Sequence, residues 1–286
     1  MLKAQAEQLE AEQVSAAKEN TVRPASQQNN NQPANNQTSA DTKLDTFIII
    51  SPLVIILIAV LLFFAFKSVA RADETIVFLD MSRSMESNDY TNQQTEFQKN
   101  VNGIESFIRN DLMPGEKLRV LGIIENSFSN PYLLMEGQVS TNKGAFGEVV
   151  ARDKLNLVQA WKKLHLKPMA KMTDIFGALS LGSNLFNHRE RKKQLILFSD
   201  MRHYTREMDL ETPSVINKDS EIKRVIEKGY LAPLPDVKIW CLGVHGAGKE
   251  PTYWRSLSVF WMEYFRQAKA SDPIVFSMER RLLKNE

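Results

Sequence analysis

Between residues 75 and 244, four short apolar runs (75–79, 118–124, 194–198 and 237–244) alternate with segments whose apolar residues recur every three or four positions. Each run is rich in β-branched and large apolar residues and has the length of a buried strand. The segments between them carry the helical period instead. Phe97, Val101, Ile104 and Phe107 mark one helical face. Val149, Leu155, Val158, Trp161 and Leu164 mark a second, and Ile175, Leu179 and Leu185 a third. Trp254, Leu257, Phe260, Trp261, Tyr264 and Phe265 form an aromatic stripe on a fourth, which reads as a core face. Strands separated by helices pair in parallel, and the helices cover both faces of the sheet. The pattern predicts an α/β fold: a Rossmann-like, doubly wound, mostly parallel sheet flanked by helices.

The rest of the chain is organised around that globular part. Its 286 residues give room for one full-sized domain plus accessories. Residues 1–45 are polar, and residues 26–40, SQQNNNQPANNQTSA, have almost nothing to bury, so they read as a disordered tether. Residues 46–67 follow as an expected transmembrane helix. Asp45 and Lys67 bracket about 21 uncharged residues, enough to cross roughly 30 Å of hydrocarbon. A linker at 68–73, the globular domain at 74–270 and a C-terminal extension at 271–286 complete the division.

The orientation signals oppose one another. Lys67 and Arg71 favour a cytoplasmic C-terminal domain, whereas Lys3, Lys18, Arg23 and Lys43 favour a cytoplasmic tail. Ala70-Arg71-Ala72 has the small-x-small form of a signal-peptidase site, but the apolar run has the length of a retained anchor. The balance favours a single-pass membrane protein, in a bacterial inner membrane, with the globular domain outside the cytoplasm.

The first run ends on an unusual group of atoms. Asp80 closes the strand, and Ser82 and Ser84 follow at alternate positions. A second strand ends at Ser199-Asp200, and Thr173-Asp174 opens a helix. In a parallel sheet, ligands bind beyond the carboxyl ends of the strands. If the two strands are neighbours, Asp80 and Asp200 converge there, and Ser82, Ser84 and Thr173 complete a set of hard oxygen donors. Such a set suits Mg²⁺, with Mn²⁺ or Ca²⁺ as alternatives.

Asp80-Met81-Ser82-Arg83-Ser84 matches the D-x-S-x-S motif of the von Willebrand factor A (VWA) family, and Thr173-Asp174 and Ser199-Asp200 resemble its two later segments. The separations, about 90 and then about 27 residues, also fit. The resemblance covers roughly residues 74–270. It implies a metal-ion-dependent adhesion site. Ser82, Ser84 and Thr173 would give hydroxyl oxygens to the metal, and Asp80 and Asp200 would balance its charge through waters or hydroxyls. An Asp or Glu of a partner protein would fill the open position. Three cationic neighbours depart from the simple pattern. Arg83 lies inside the motif, and Arg202 and His203 follow Asp200, where they would tune partner charge or partly fill the pocket.

Other chemistries fit less well. Gly243-Val244-His245-Gly246-Ala247-Gly248-Lys249-Glu250 nearly spells a phosphate-binding loop, but Glu250 stands where Ser or Thr is needed. The four histidines form no zinc-binding pair, and no G-x-S-x-G elbow is present. The basic stretch at 188–193 reads as a solvated loop. The single cysteine, Cys241, excludes an intrachain disulfide and reads as a small core side chain. With 36 basic against 34 acidic residues there is no bulk ground for nucleic-acid binding.

The sequence thus points to a non-enzymatic, membrane-anchored binding module that uses Mg²⁺ to contact an acidic side chain of a protein partner, as a subunit of a larger envelope assembly. The alternatives are a structural scaffold stabilised by its metal, or a metal-assisted phosphohydrolase.

Overall fold

The structure is a computed structural model that describes residues 73–86, 94–186, 192–245 and 248–282. The expected tail, transmembrane helix and most of the linker lie outside the described residues. Among the described residues, no helix is long and apolar enough to cross a membrane.

The four apolar runs form strands β1 (Glu74–Asp80), β2 (Lys117–Ile123), β4 (Lys193–Phe198) and β5 (Val237–Leu242). β3 (Tyr132–Gln138) and β6 (Ser271–Ser277) complete a six-stranded sheet of order β3-β2-β1-β4-β5-β6. All neighbouring pairs are parallel except β2 with β3. The two extra strands lie at the sheet edges, which explains why periodicity misses them. β3 buries only Met135, and the two exposed residues of β6 are Asp272 and Pro273, features tolerated at an edge. β6 also places part of the stretch read as a C-terminal extension inside the sheet.

The helices α1 (Glu96–Asn110), α2 (Glu148–Lys162), α3 (Ile175–Leu185) and α5 (Pro251–Gln267) arise from the four periodic segments. α4 (Lys218–Glu227) was not legible in the periodicity, because it buries only Ile222 and Val225. Local chemistry starts three of these helices. Thr95 caps α1 reciprocally: its hydroxyl accepts from the Gln98 N–H at 3.1 Å, and Gln98 Oε1 accepts from the Thr95 N–H at 3.0 Å. Asp174 caps α3 by accepting from the Gly177 N–H at 2.8 Å. Pro251 occupies the first turn of α5, where its missing N–H costs nothing.

Side chains alternate between two cores because strand residues point to opposite faces. Ile76 and Phe78 of β1 pack with α3, α4 and α5, including Phe260, Trp261, Tyr264 and Phe265. Val77 and Leu79 pack with α1 and α2, including Phe107 and Trp161. Every residue of β1 is buried, so both cores fix where that strand ends. Cys241 is fully buried in the first core, and burial pushes its thiol pKa well up.

Candidate metal site

β1 and β4 are parallel neighbours, with Leu79 paired to Phe198 in register. Their chains therefore leave the sheet side by side, and the first residues past it meet. The Ser199 hydroxyl donates to Asp80 Oδ2 at 2.6 Å. Asp80 Oδ1 accepts from the Ser82 N–H at 2.9 Å, folding the D-x-S-x-S turn back over its own aspartate. That turn becomes a short 3-10 helix at Arg83–Glu86. The Ser82 and Ser84 hydroxyl oxygens lie 2.9 Å apart, Ser82 buried and Ser84 exposed.

The threonine segment is tied to both of these loops by its backbone. The Met169 and Ala170 N–H groups donate to the Met81 carbonyl at 2.8 and 2.9 Å, and the Arg83 N–H donates to the Ala170 carbonyl at 3.0 Å. Three residues on, Thr173 and Tyr204 exchange backbone hydrogen bonds at 2.9 and 3.1 Å. Thr173 is buried between a bridge to the first loop and a bridge to the third. The structure thus brings the segments carrying Asp80, Ser82, Ser84, Thr173 and Asp200 to one end of the sheet.

Two buried carboxylates at one place set the electrostatics. Asp80 is 0% exposed and Asp200 1% exposed. Burial raises the Asp80 pKa above its ordinary value, against the hydrogen bonds from Ser199 and Ser82 and the charge of Arg202. Burial, followed by the charge of Asp80, pushes Asp200 up to about 7, with Arg202 opposing. Asp200 Oδ1 accepts from the Arg202 N–H at 3.0 Å, while the buried Oδ2 accepts no hydrogen bond.

The three basic residues flanking the acids separate. Arg83 is exposed. His203 is buried and its Nδ1 accepts from the Ile175 N–H at 3.2 Å, so it serves the start of α3. Arg202 is buried beside Asp200, with Nε 3.4 Å from Oδ2. Between them Met201 adopts a left-handed conformation, φ 63°, and its carbonyl accepts from the Trp261 indole at 2.9 Å.

Sequence reasoning missed three contributors. Ser199 was read only as the neighbour of Asp200, yet its hydroxyl bridges the two strand ends. Glu96 and Arg280, at the start of α1 and beyond β6, pair with each other, and Arg280 Nε donates to Asn100 Oδ1 at 3.2 Å. No local pattern links residues so far apart in the chain. His245 Nε2 lies 3.9 Å from Glu96 Oε2, and burial pushes His245 down to about 4 despite that carboxylate.

The loop resembling a phosphate-binding loop is accounted for by the fold. Gly243 has φ 77°, and a side chain there would meet Asn100 Oδ1 at 2.6 Å. Lys249 donates to the Glu211 carbonyl and lies over the Tyr253 ring, 4.8 Å from its centroid.

A family profile for the von Willebrand factor type A domain matches residues 75–203, which include all five site residues. Among solved structures, the chain is similar to an aerotolerance-related membrane protein from Bacteroides fragilis bearing multiple mutations to serines. That alignment has 15% identity, covers 60% of this chain and 67% of that one, and has a TM-score of 0.36. The SpRpn10 VWA domain aligns at 14% identity over 75% of this chain and 90% of that one, with a TM-score of 0.37. The pilus adhesin SpaC from Lactobacillus rhamnosus GG aligns at 16% identity over 48% of this chain, with a TM-score of 0.31. The matched segment spans only 15% of that adhesin. No curated protein matches the sequence.

Proposed function

Residues 75–203 match the von Willebrand factor type A domain family, and from that premise we propose that the protein is a membrane-anchored binding module whose Mg²⁺-dependent site takes an Asp or Glu side chain of a protein partner within a larger envelope assembly. The observation that carries this reading is the paired Ser82 and Ser84 hydroxyls, 2.9 Å apart, running from the buried Asp80 out to the surface. Oxygen donors thus lead from a buried negative charge to a position a partner can reach.

The donor set fits a hard divalent cation. It is all oxygen, it contains two buried carboxylates, and Asp200 Oδ2 accepts no hydrogen bond. Among the described residues there is no cluster of three or more His, Cys, Asp and Glu side chains. Hydroxyls therefore have to supply most of the coordination. Ser82, Ser84 and Thr173 would hold the ion, with Asp80 and Asp200 balancing its charge. Bound there, the ion supplies a concentrated positive charge that attracts an outside carboxylate. The protein's own part is to bury the acids, orient the hydroxyls and leave one side open. The apolar run at 46–66 would tether the domain to a bilayer, with the domain outside the cytoplasm.

The test is recovery of cross-linked partners from membranes with Mg²⁺ or with a chelator, for the wild type and Asp80→Ala. Recovery that depends on both the metal and Asp80 supports the reading. Equal recovery under all conditions removes it. A scaffold role is the second reading, favoured by Arg202, which already balances part of the buried negative charge. It predicts that Mg²⁺ raises the melting temperature without changing partner recovery.

A further inference from the structure

The position of Arg202 implies more than charge balance. Its side chain is 10% exposed and Nε lies 3.4 Å from Asp200 Oδ2. The contact is close enough for ion pairing, yet that oxygen accepts no hydrogen bond. Arginine normally satisfies a buried carboxylate through a two-pronged hydrogen-bonded fork. Here the guanidinium also lies over the Trp254 ring, 5.4 Å from its centroid, and Nη2 donates to the His245 carbonyl at 3.5 Å. It is shared among an acid, an aromatic face and a carbonyl. Two of these three belong to the α5 side of the site: Trp254 is in α5, and His245 is in the loop after β5. Met201, left-handed and anchored by Trp261, joins Asp200 to Arg202 in the one turn where they pair.

Resting on the metal-site reading above, we propose that Arg202 is a built-in counter-ion of the site, and that a divalent cation binds by displacing its guanidinium from Asp200, which alters the environment of Trp254. A tethered cation at high local concentration competes with any free one, since both are drawn by the same pair of carboxylates. The site then has two arrangements. In one, Arg202 neutralises Asp200. In the other, the metal does, and the stacking on Trp254 changes. Any cation that binds must differ in its preference for the two arrangements, and that difference passes to the first turns of α5.

The experiment uses the full-length chain in detergent and measures Mn²⁺ binding by loss of the free-ion paramagnetic signal. Trp254 emission is followed during Mg²⁺ titration and assigned with Trp254→Phe. Arg202→Gln removes the charge and keeps a planar polar head. It should bind Mn²⁺ about tenfold more tightly than the wild type, and the Trp254 response to Mg²⁺ should vanish. Arg202→Lys keeps the charge but not the flat stacking surface. It should bind Mn²⁺ close to the wild type, with a reduced Trp254 response, and it carries the test if the glutamine variant does not fold.

Wild-type binding with equal or weaker binding by Arg202→Gln overturns the counter-ion role while leaving the metal site in place. No wild-type binding but clear binding by Arg202→Gln supports the role in its strongest form. No Mn²⁺ binding by either protein overturns both the role and the metal-site reading. If Arg202→Lys must serve alone, a Trp254 response equal to the wild type's overturns the proposal.

Discussion

The Ser199 hydroxyl donates to Asp80 Oδ2 at 2.6 Å, joining the ends of two strands that lie 119 residues apart in sequence. The bond forms because β1 and β4 are parallel neighbours and both stop at the same level. It holds Asp80 in place while leaving its other oxygen to close the serine turn.

Removing that hydroxyl leaves Asp80 Oδ2 without its donor, while Oδ1 keeps the Ser82 N–H. Ser199→Ala should lower stability by about 2 kcal/mol when measured with chelator present, because a hydrogen bond to a carboxylate is lost without a replacement. Urea denaturation followed by circular dichroism reads it. An unchanged midpoint with an unchanged slope would show that Asp80 does not depend on Ser199.

His203 should make the protein acid-sensitive. Burial pushes its pKa from 6.5 down to about 3, with Asp209 opposing. The unfolded chain therefore takes up a proton first as pH falls. The stability contribution is complete above the unfolded value, about 6.5, and is lost progressively as pH falls toward about 3. The raised carboxylates Asp80 and Asp200 act with the opposite sign, so the comparison has to be with a variant. Asn at this position keeps an acceptor for the Ile175 N–H. Between pH 7 and pH 5 the wild type should lose about 2 kcal/mol relative to His203→Asn. Parallel stability curves for the two proteins would refute the assignment.

The Trp261 indole supports the turn between Asp200 and Arg202 through the Met201 carbonyl. Trp261→Phe keeps most of the apolar volume but orphans that buried carbonyl. A loss of about 2 to 3 kcal/mol is expected in guanidinium denaturation, and the Arg202–Trp254 geometry should loosen with it. A stability equal to the wild type would mean the turn holds its left-handed residue without help.

Cys241 is fully buried in β5, and its thiolate is suppressed by burial. A charged thiol reagent should leave it unmodified in the folded protein and label it stoichiometrically in denaturant. Rapid native labelling would show that β5 opens far more readily than a central strand should.

The short-range features of this protein are set by its sequence alone. Apolar runs flanked by helical periods dictate parallel strands, because chain connectivity leaves few other ways to bury both kinds of face. The cap at Thr95, the cap at Asp174 and the proline that opens α5 are equally local. The candidate site segments were legible only in combination: an acid or serine past one strand is commonly a turn or cap, but three oxygen-bearing segments at strand ends and a helix start point to one ligand-binding edge. The edge strands β3 and β6 and the polar helix α4 were not legible, because half-buried elements carry only weak periodicity and owe their form to a neighbour.

Tertiary structure alone decided which charge stands beside which acid. Arg83 sits inside the motif yet faces solvent, whereas Arg202 packs against Asp200. The difference comes from the left-handed turn at Met201, the Trp261 bond that anchors it and the Trp254 face over which the guanidinium lies. Those partners are brought in by α5, more than fifty residues downstream. Spacing along the chain marks the candidate oxygens. Packing of a distant helix selects their counter-charge, because a buried carboxylate pairs with whichever cation the fold delivers to it.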